Sequence, residues 1–143
     1  MAQITTIERL TEIIPDPSPR AGAKVLDHLD EQALAFIAQS PFLMLATEGP
    51  DGIEVSPKGD RPGFVAVLDE RTLLIPERSG NQLKMGLRNI IANRRIALIF
   101  LCPATGDAVR ASGVATLYDD SDLCEQLAVE GKPAKLVIRV DIE

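Results

Sequence analysis

The feature that most narrows the possible folds is the spacing of the apolar runs. Phe42 to Thr47 reads F-L-M-L-A-T, and Gly49-Pro50-Asp51-Gly52 turns it back into Ile53 to Ser56. Gly63 to Leu68 is followed by Asp69-Glu70-Arg71 and then by Thr72 to Ile75, which Pro76 closes. Arg95 to Cys102 and Ala108 to Tyr118 flank the turn P-A-T-G-D, and Leu136 to Ile142 alternates with period two near the end of the sequence. Connections this short join neighbours antiparallel, because a parallel crossover needs a dozen or more residues. Helices do not alternate with the strands, which disfavours a doubly wound parallel sheet. The expectation is a mainly β fold: a small antiparallel barrel of six or seven strands with flanking helices.

The helical stretches fit between these runs. Thr5 to Ile14 carries Ile7, Leu10, Ile13 and Ile14 at helical spacing, and Pro15 stops it. The following D-P-S-P-R-A-G reads as a connection without regular structure. Asp30 caps Glu31 to Gln39, with Leu34, Ile37 and Ala38 as the buried stripe. Asn81 caps a helix to Asn93 that buries Leu83, Leu87, Ile90 and Ile91, and Asp119 or Ser121 caps a helix over Asp122 to Glu130. In the long strand from Ala108, Gly113 marks a bulge or a close contact. A chain of 143 residues fits one domain, residues 1–143, with 1–29 as an N-terminal helix and linker packed against it.

Composition excludes some function classes. A net charge of -6 argues against a general nucleic-acid or anionic-membrane binder. No run reaches the roughly 18 to 20 apolar residues of a membrane span, and M-A-Q-I-T-T-I-E lacks the head of a signal peptide. The expectation is a cytoplasmic protein with Cys102 and Cys124 reduced. One histidine, His28, rules out a His-rich metal site in a single chain, so no metal is expected. Aromatic residues make up only 3% of the chain, which leaves few rings to stack on a flat ligand.

The chemistry concentrates between Val55 and Asn93. Arg78-Ser79-Gly80-Asn81 joins a strand end to a helix start, where backbone N–H groups, a guanidinium and a hydroxyl can meet an anion. Ser56-Pro57-Lys58-Gly59-Asp60-Arg61 reads as a fixed loop whose Lys58 and Arg61 can approach the same phosphate. Each stretch also has a plainer reading, as a capped turn or a solvated loop. Arg88 and Asn89 lie further along the helix, with Arg88 near Lys84 on the face away from the apolar stripe. Nothing places a serine in a nucleophile elbow, and no glycine-rich phosphate loop is present. Catalytic residues stay unassigned.

In order, S-P-K-G-D-x-P-G-F, L-L-I-P-E-R-S-G-N, L-R-N-I, L-I-F-L-C-P and V-R-A-S-G-V-A resemble the pyridoxamine 5′-phosphate oxidase-like, FMN-binding split-barrel family. The resemblance spans Asp30 to Ile142. It implies a six-stranded antiparallel split β-barrel, a homodimer, and FMN in clefts at the subunit interface. By position it implies that Ser56, Lys58 and Asp60, then Arg78, Ser79, Gly80, Asn81 and Gln82, then Arg88 and Asn89, hold the cofactor. Gln82 stands where related sequences carry an arginine, which implies one charged donor fewer. The implied function is an FMN-dependent oxidoreductase acting on a small molecule, with a non-catalytic flavin- or haem-binding or sensing protein of the same fold as the alternative.

Overall fold

The computed structural model describes residues 3–78, 80 and 82–143. Seven strands form one antiparallel sheet: β1 (Phe42–Gly49), β2 (Gly52–Gly59), β3 (Ala66–Asp69), β4 (Thr72–Glu77), β5 (Arg95–Leu101), β6 (Ala108–Tyr118) and β7 (Leu136–Ile142). Their order is β2-β1-β5-β6-β7-β4-β3. The sheet does not close, so β2 stays at one end and β4 with its short partner β3 at the other, as a split barrel requires.

Alternation sets the interior. On β1, Leu43, Leu45 and Thr47 are buried while Met44 and Ala46 are half-buried on the outer face. The register then places Lys58, Ser56 and Glu54 of β2 on that same interior face, opposite Leu43, Leu45 and Thr47. Ile96, Leu98 and Phe100 of β5 join them, as do Leu73 and Ile75 of β4 and Ile138 and Val140 of β7. The strand β4 is buried on both faces. Its outer Leu74 packs with Cys124, Ala134 and Val137 beneath α5 (Ser121–Gln126).

Two prolines expected to end regular structure lie inside strands. β2 continues through Pro57, opposite Met44, so the S-P-K-G stretch is strand and not loop. β4 continues through Pro76, opposite Val137. Both positions tolerate a missing N–H because it points to a side with no strand partner. β2 has no neighbour beyond it, and β3 stops pairing with β4 at Leu74. Gly113 of β6 is a close contact: a Cβ there would sit 2.0 Å from the Asp141 carbonyl oxygen.

α1 (Ile7–Ile13) and α3 (Glu31–Gln39) have the expected caps, Thr6 and Asp30, while α5 is capped by Asp120 in place of Asp119 or Ser121 and the helix after β4 has Lys84 in place of Asn81 at its cap position. The Pro-rich connection contains one helical turn, α2 (Pro19–Gly22), in place of wholly irregular chain. No side chain among residues 3–28 is buried, and Leu29 is the first to enter the core. α3 buries Ile37 and half-buries Leu34, but Ala38 is exposed. α4 (Met85–Asn93) starts three residues later than expected, after Lys84 in the left-handed region at φ 56°. Leu83, ahead of it, is exposed, as is Ile91, while Ile90 is buried as expected and Gly86 is buried beside it. α5 ends at Gln126, short of the expected Glu130, which has φ 52°. Among the described residues, no helix is long and apolar enough to cross a membrane.

Candidate functional site

Curling brings the two ends of the sheet face to face without backbone pairing between them. Two ion pairs span the seam. Lys58 Nζ of β2 meets Glu77 Oε2 of β4, with side chains only 10% and 9% exposed. Just beyond the strand ends, Arg78 Nε donates to Asp60 Oδ2 at 2.7 Å. Among the described residues, no other hydrogen bond joins Ser56–Asp60 to Pro76–Arg78.

Each partner is anchored from behind. The Asp60 N–H donates to the Pro41 carbonyl at 3.1 Å, and the Lys135 N–H donates to the Glu77 carbonyl at 2.9 Å. Arg78 Nη2 donates to the Leu127 carbonyl at 2.8 Å, which ties the seam to the segment after α5. Burial pushes the Asp60 carboxyl up, but the Arg61 N–H and the Arg78 guanidinium outweigh it and hold Asp60 below the usual carboxylate range.

The seam opens into a cleft of about 370 Å³, lined by Ser56, Lys58, Asp60, Phe64, Glu77 and Arg78, with Pro57, Gly59, Pro76 and Gly80 completing the wall. That volume falls in the range of small-molecule sites, roughly 300–1,000 Å³. Gly80 adopts φ 138°, a backbone state that strongly favours glycine, and no atom lies near where a Cβ would be. A smaller recess continues inward between Ser56, Lys58 and α4. There Gly86 of α4 faces the Thr47 and Ser56 hydroxyls, which lie at ordinary contact distance, 3.5 and 3.8 Å, from where a Cβ would sit. One ring, Phe64, reaches the cleft.

The structure thus gathers five of the expected residues, Ser56, Lys58, Asp60, Arg78 and Gly80, into one cleft. Ser79 and Asn81 lie outside the described residues. Gln82 and Arg88 are exposed and do not line the cleft. Asn89 points elsewhere: its Nδ2 donates to Thr47 Oγ1 at 3.2 Å, and its side chain fills the space over Gly49. Arg61 is exposed and is not among the residues that line the cleft with Lys58. Sequence reasoning missed Glu77, the buried partner of Lys58, and Phe64. A carboxylate beside a proline that reads as a strand stop gives no local signal, since its partner is 19 residues away on a strand that is not a sheet neighbour.

The donor types in the cleft are those that an anionic group needs, although both cations are paired with carboxylates. The cleft offers a lysine, a guanidinium with one fork already oriented, a hydroxyl, and a glycine where the backbone is open. The thiol of Cys124 is not part of it: burial raises its pKa and keeps it a packing residue.

Comparison with known proteins follows the geometry. The family profile described as pyridoxamine 5′-phosphate oxidase matches residues 29–143. A candidate pyridoxamine 5′-phosphate oxidase from Lactobacillus delbrueckii superposes with a TM-score of 0.63 at 26% identity, covering 82% of this chain and 93% of that one. HupZ from Group A Streptococcus gives 0.64 at 19% identity, with 80% and 90% covered. An F420 reductase gives 0.60 at 20% identity, with 80% and 96% covered. Among functionally curated proteins, none matches the sequence significantly.

Proposed function

The chain belongs to the pyridoxamine 5′-phosphate oxidase family, and from that premise we propose that it binds a flavin, FMN, and acts as an FMN-dependent oxidoreductase on a small molecule. The observation that carries the reading is the cleft at the seam, where Lys58, Arg78 and the Ser56 hydroxyl converge beside Gly80. Bound flavin supplies the hydride or electron chemistry, and the protein supplies binding and orientation. Lys58 and Arg78 hold the phosphate, and Ser56 on the interior face of β2 reaches the chain that follows it. Among the described residues that line the cleft, none is a His, Cys or Met that would favour the haem alternative.

A homodimer accompanies this reading. The cleft has a single ring, and the outer face of β2-β1-β5 is apolar, with Ile53 76% and Val55 50% exposed beside half-buried Met44, Ala46 and Ile99. A second copy on that face covers it and walls the flavin ring.

A visible absorption spectrum tests the proposal, taken as isolated and again after incubation with FMN and desalting. The expected result is retained flavin bands near one equivalent per chain, with a dimer mass by light scattering. A protein that stays colourless overturns the reading, and a Soret band replaces it with haem handling.

A further inference from the structure

The cations assigned to the phosphate are already occupied. Lys58 is paired with Glu77, and Arg78 with Asp60. The polar part of the cleft therefore carries two positive and two negative groups, and a phosphate entering it meets a neutral site with carboxylates in its place. We propose that Glu77 and Asp60 are internal competitors for the anionic end of the ligand. On this account the phosphate binds by exchange, taking Lys58 and Arg78 from the two carboxylates and parting the seam. The inference rests on the flavin-phosphate reading.

The geometry makes exchange feasible. Arg78 keeps its second anchor, the Leu127 carbonyl, when Asp60 lets go, so the guanidinium stays aimed at the cleft. Lys58 stays on the interior face because its backbone is registered opposite Leu43. Asp60 is 20% exposed and can turn to water. Glu77 is the costlier partner to displace, since its side chain is only 9% exposed. Exchange involves no backbone bond between Ser56–Asp60 and Pro76–Arg78, because the two ion pairs are the only hydrogen-bonded links there among the described residues. The carboxylates also keep the empty cleft from leaving a buried lysine unpaired, which would be strongly destabilising.

The test compares Glu77→Gln with the unaltered protein, using FMN and riboflavin, the same flavin without its phosphate, as probes in fluorescence-quenching titrations. Glutamine keeps the size of the side chain and a hydrogen bond to Lys58 but removes the charge. FMN binding should tighten by about a hundredfold, the effect of deleting one negative charge about 6 Å from a singly charged anion at an effective dielectric of about 20. Riboflavin binding should not change. Asp60→Asn should tighten FMN in the same direction and by less, and it serves if Glu77→Gln does not fold. FMN affinity that is unchanged or weaker in the folded variant, while the unaltered protein binds FMN, overturns the exchange and leaves the flavin reading standing. Equal tightening of riboflavin also overturns it, because the effect would then not act through the phosphate. If the unaltered protein and the variants all fail to bind FMN, the flavin reading fails and the exchange fails with it.

Discussion

Removing the ammonium of the seam should expose how deeply the ion pair is desolvated. Lys58→Met leaves the Glu77 carboxylate in the barrel interior with no cation, on the face it shares with Leu73 and Ile75. Deleting one partner of a buried pair costs about 3–5 kcal/mol, because the remaining charge is uncompensated. Unfolding entropy runs at about 2.1 cal/mol/K per residue. For 143 residues that is about 0.3 kcal/mol/K, so the melting temperature should fall by about 10–17 °C. The double variant Lys58→Met with Glu77→Leu replaces the pair by apolar groups beside buried Leu43 and Ile75. It should recover most of the loss, to within about 1–2 kcal/mol of the parent. Urea denaturation followed by circular dichroism measures both, and unchanged m-values would confirm that stability alone has moved. A loss below about 1 kcal/mol for Lys58→Met would mean that the pair is solvated and behaves like a surface pair. A double variant no more stable than the single would assign the loss to packing of the lysine stem and not to an orphaned charge.

Two further outcomes follow from the geometry. Gly113→Ala drives a Cβ into the Asp141 carbonyl, and β6 and β7 must part to admit it, so the substitution should cost about 2–3 kcal/mol in the same denaturation assay; a neutral result would mean that the two strands do not approach this closely. Asp60 has a folded-state pKa below its ordinary value of about 3.9, so its contribution is complete above that pH and is lost as the pH falls through the depressed value. The stability gap between the parent and Asp60→Asn should therefore shrink below about pH 4, and a gap that ignores pH across that window would remove Arg78 as its charge partner.

Much of the strand order along the chain was legible because turn chemistry and period-two alternation are local. β6 and β7 have the limits their apolar patterns imply, and Asp30 and Thr6 cap the helices they precede. What failed was set by distant partners. Pro57 and Pro76 read as terminators because their tolerance depends on which side of the strand is left without a neighbour, and that is a property of the finished sheet. Leu83 fits a helical stripe by spacing, but the left-handed turn at Lys84 takes it off the helix and leaves it exposed. The cationic half of the cleft was visible as Lys58 and Arg78. Its anionic half was legible only at Asp60, because Glu77 acquires its role when the sheet curls and brings its two ends together. Asn89 was placed on the cofactor by motif alone, whereas its amide holds α4 on β1.

The prolines of the seam also bear on what kind of partner the cleft can take. A free strand edge is normally an invitation to another strand, whether a peptide or a neighbouring molecule. Pro57 sits on the outer edge of β2 and Pro76 on the stretch of β4 beyond β3, and both line the cleft. Each withdraws a donor from its edge at the place where an added strand would have to bond. An extended chain entering here would find a ladder interrupted at each proline, so these two edges are poorer templates for an added strand than their length suggests.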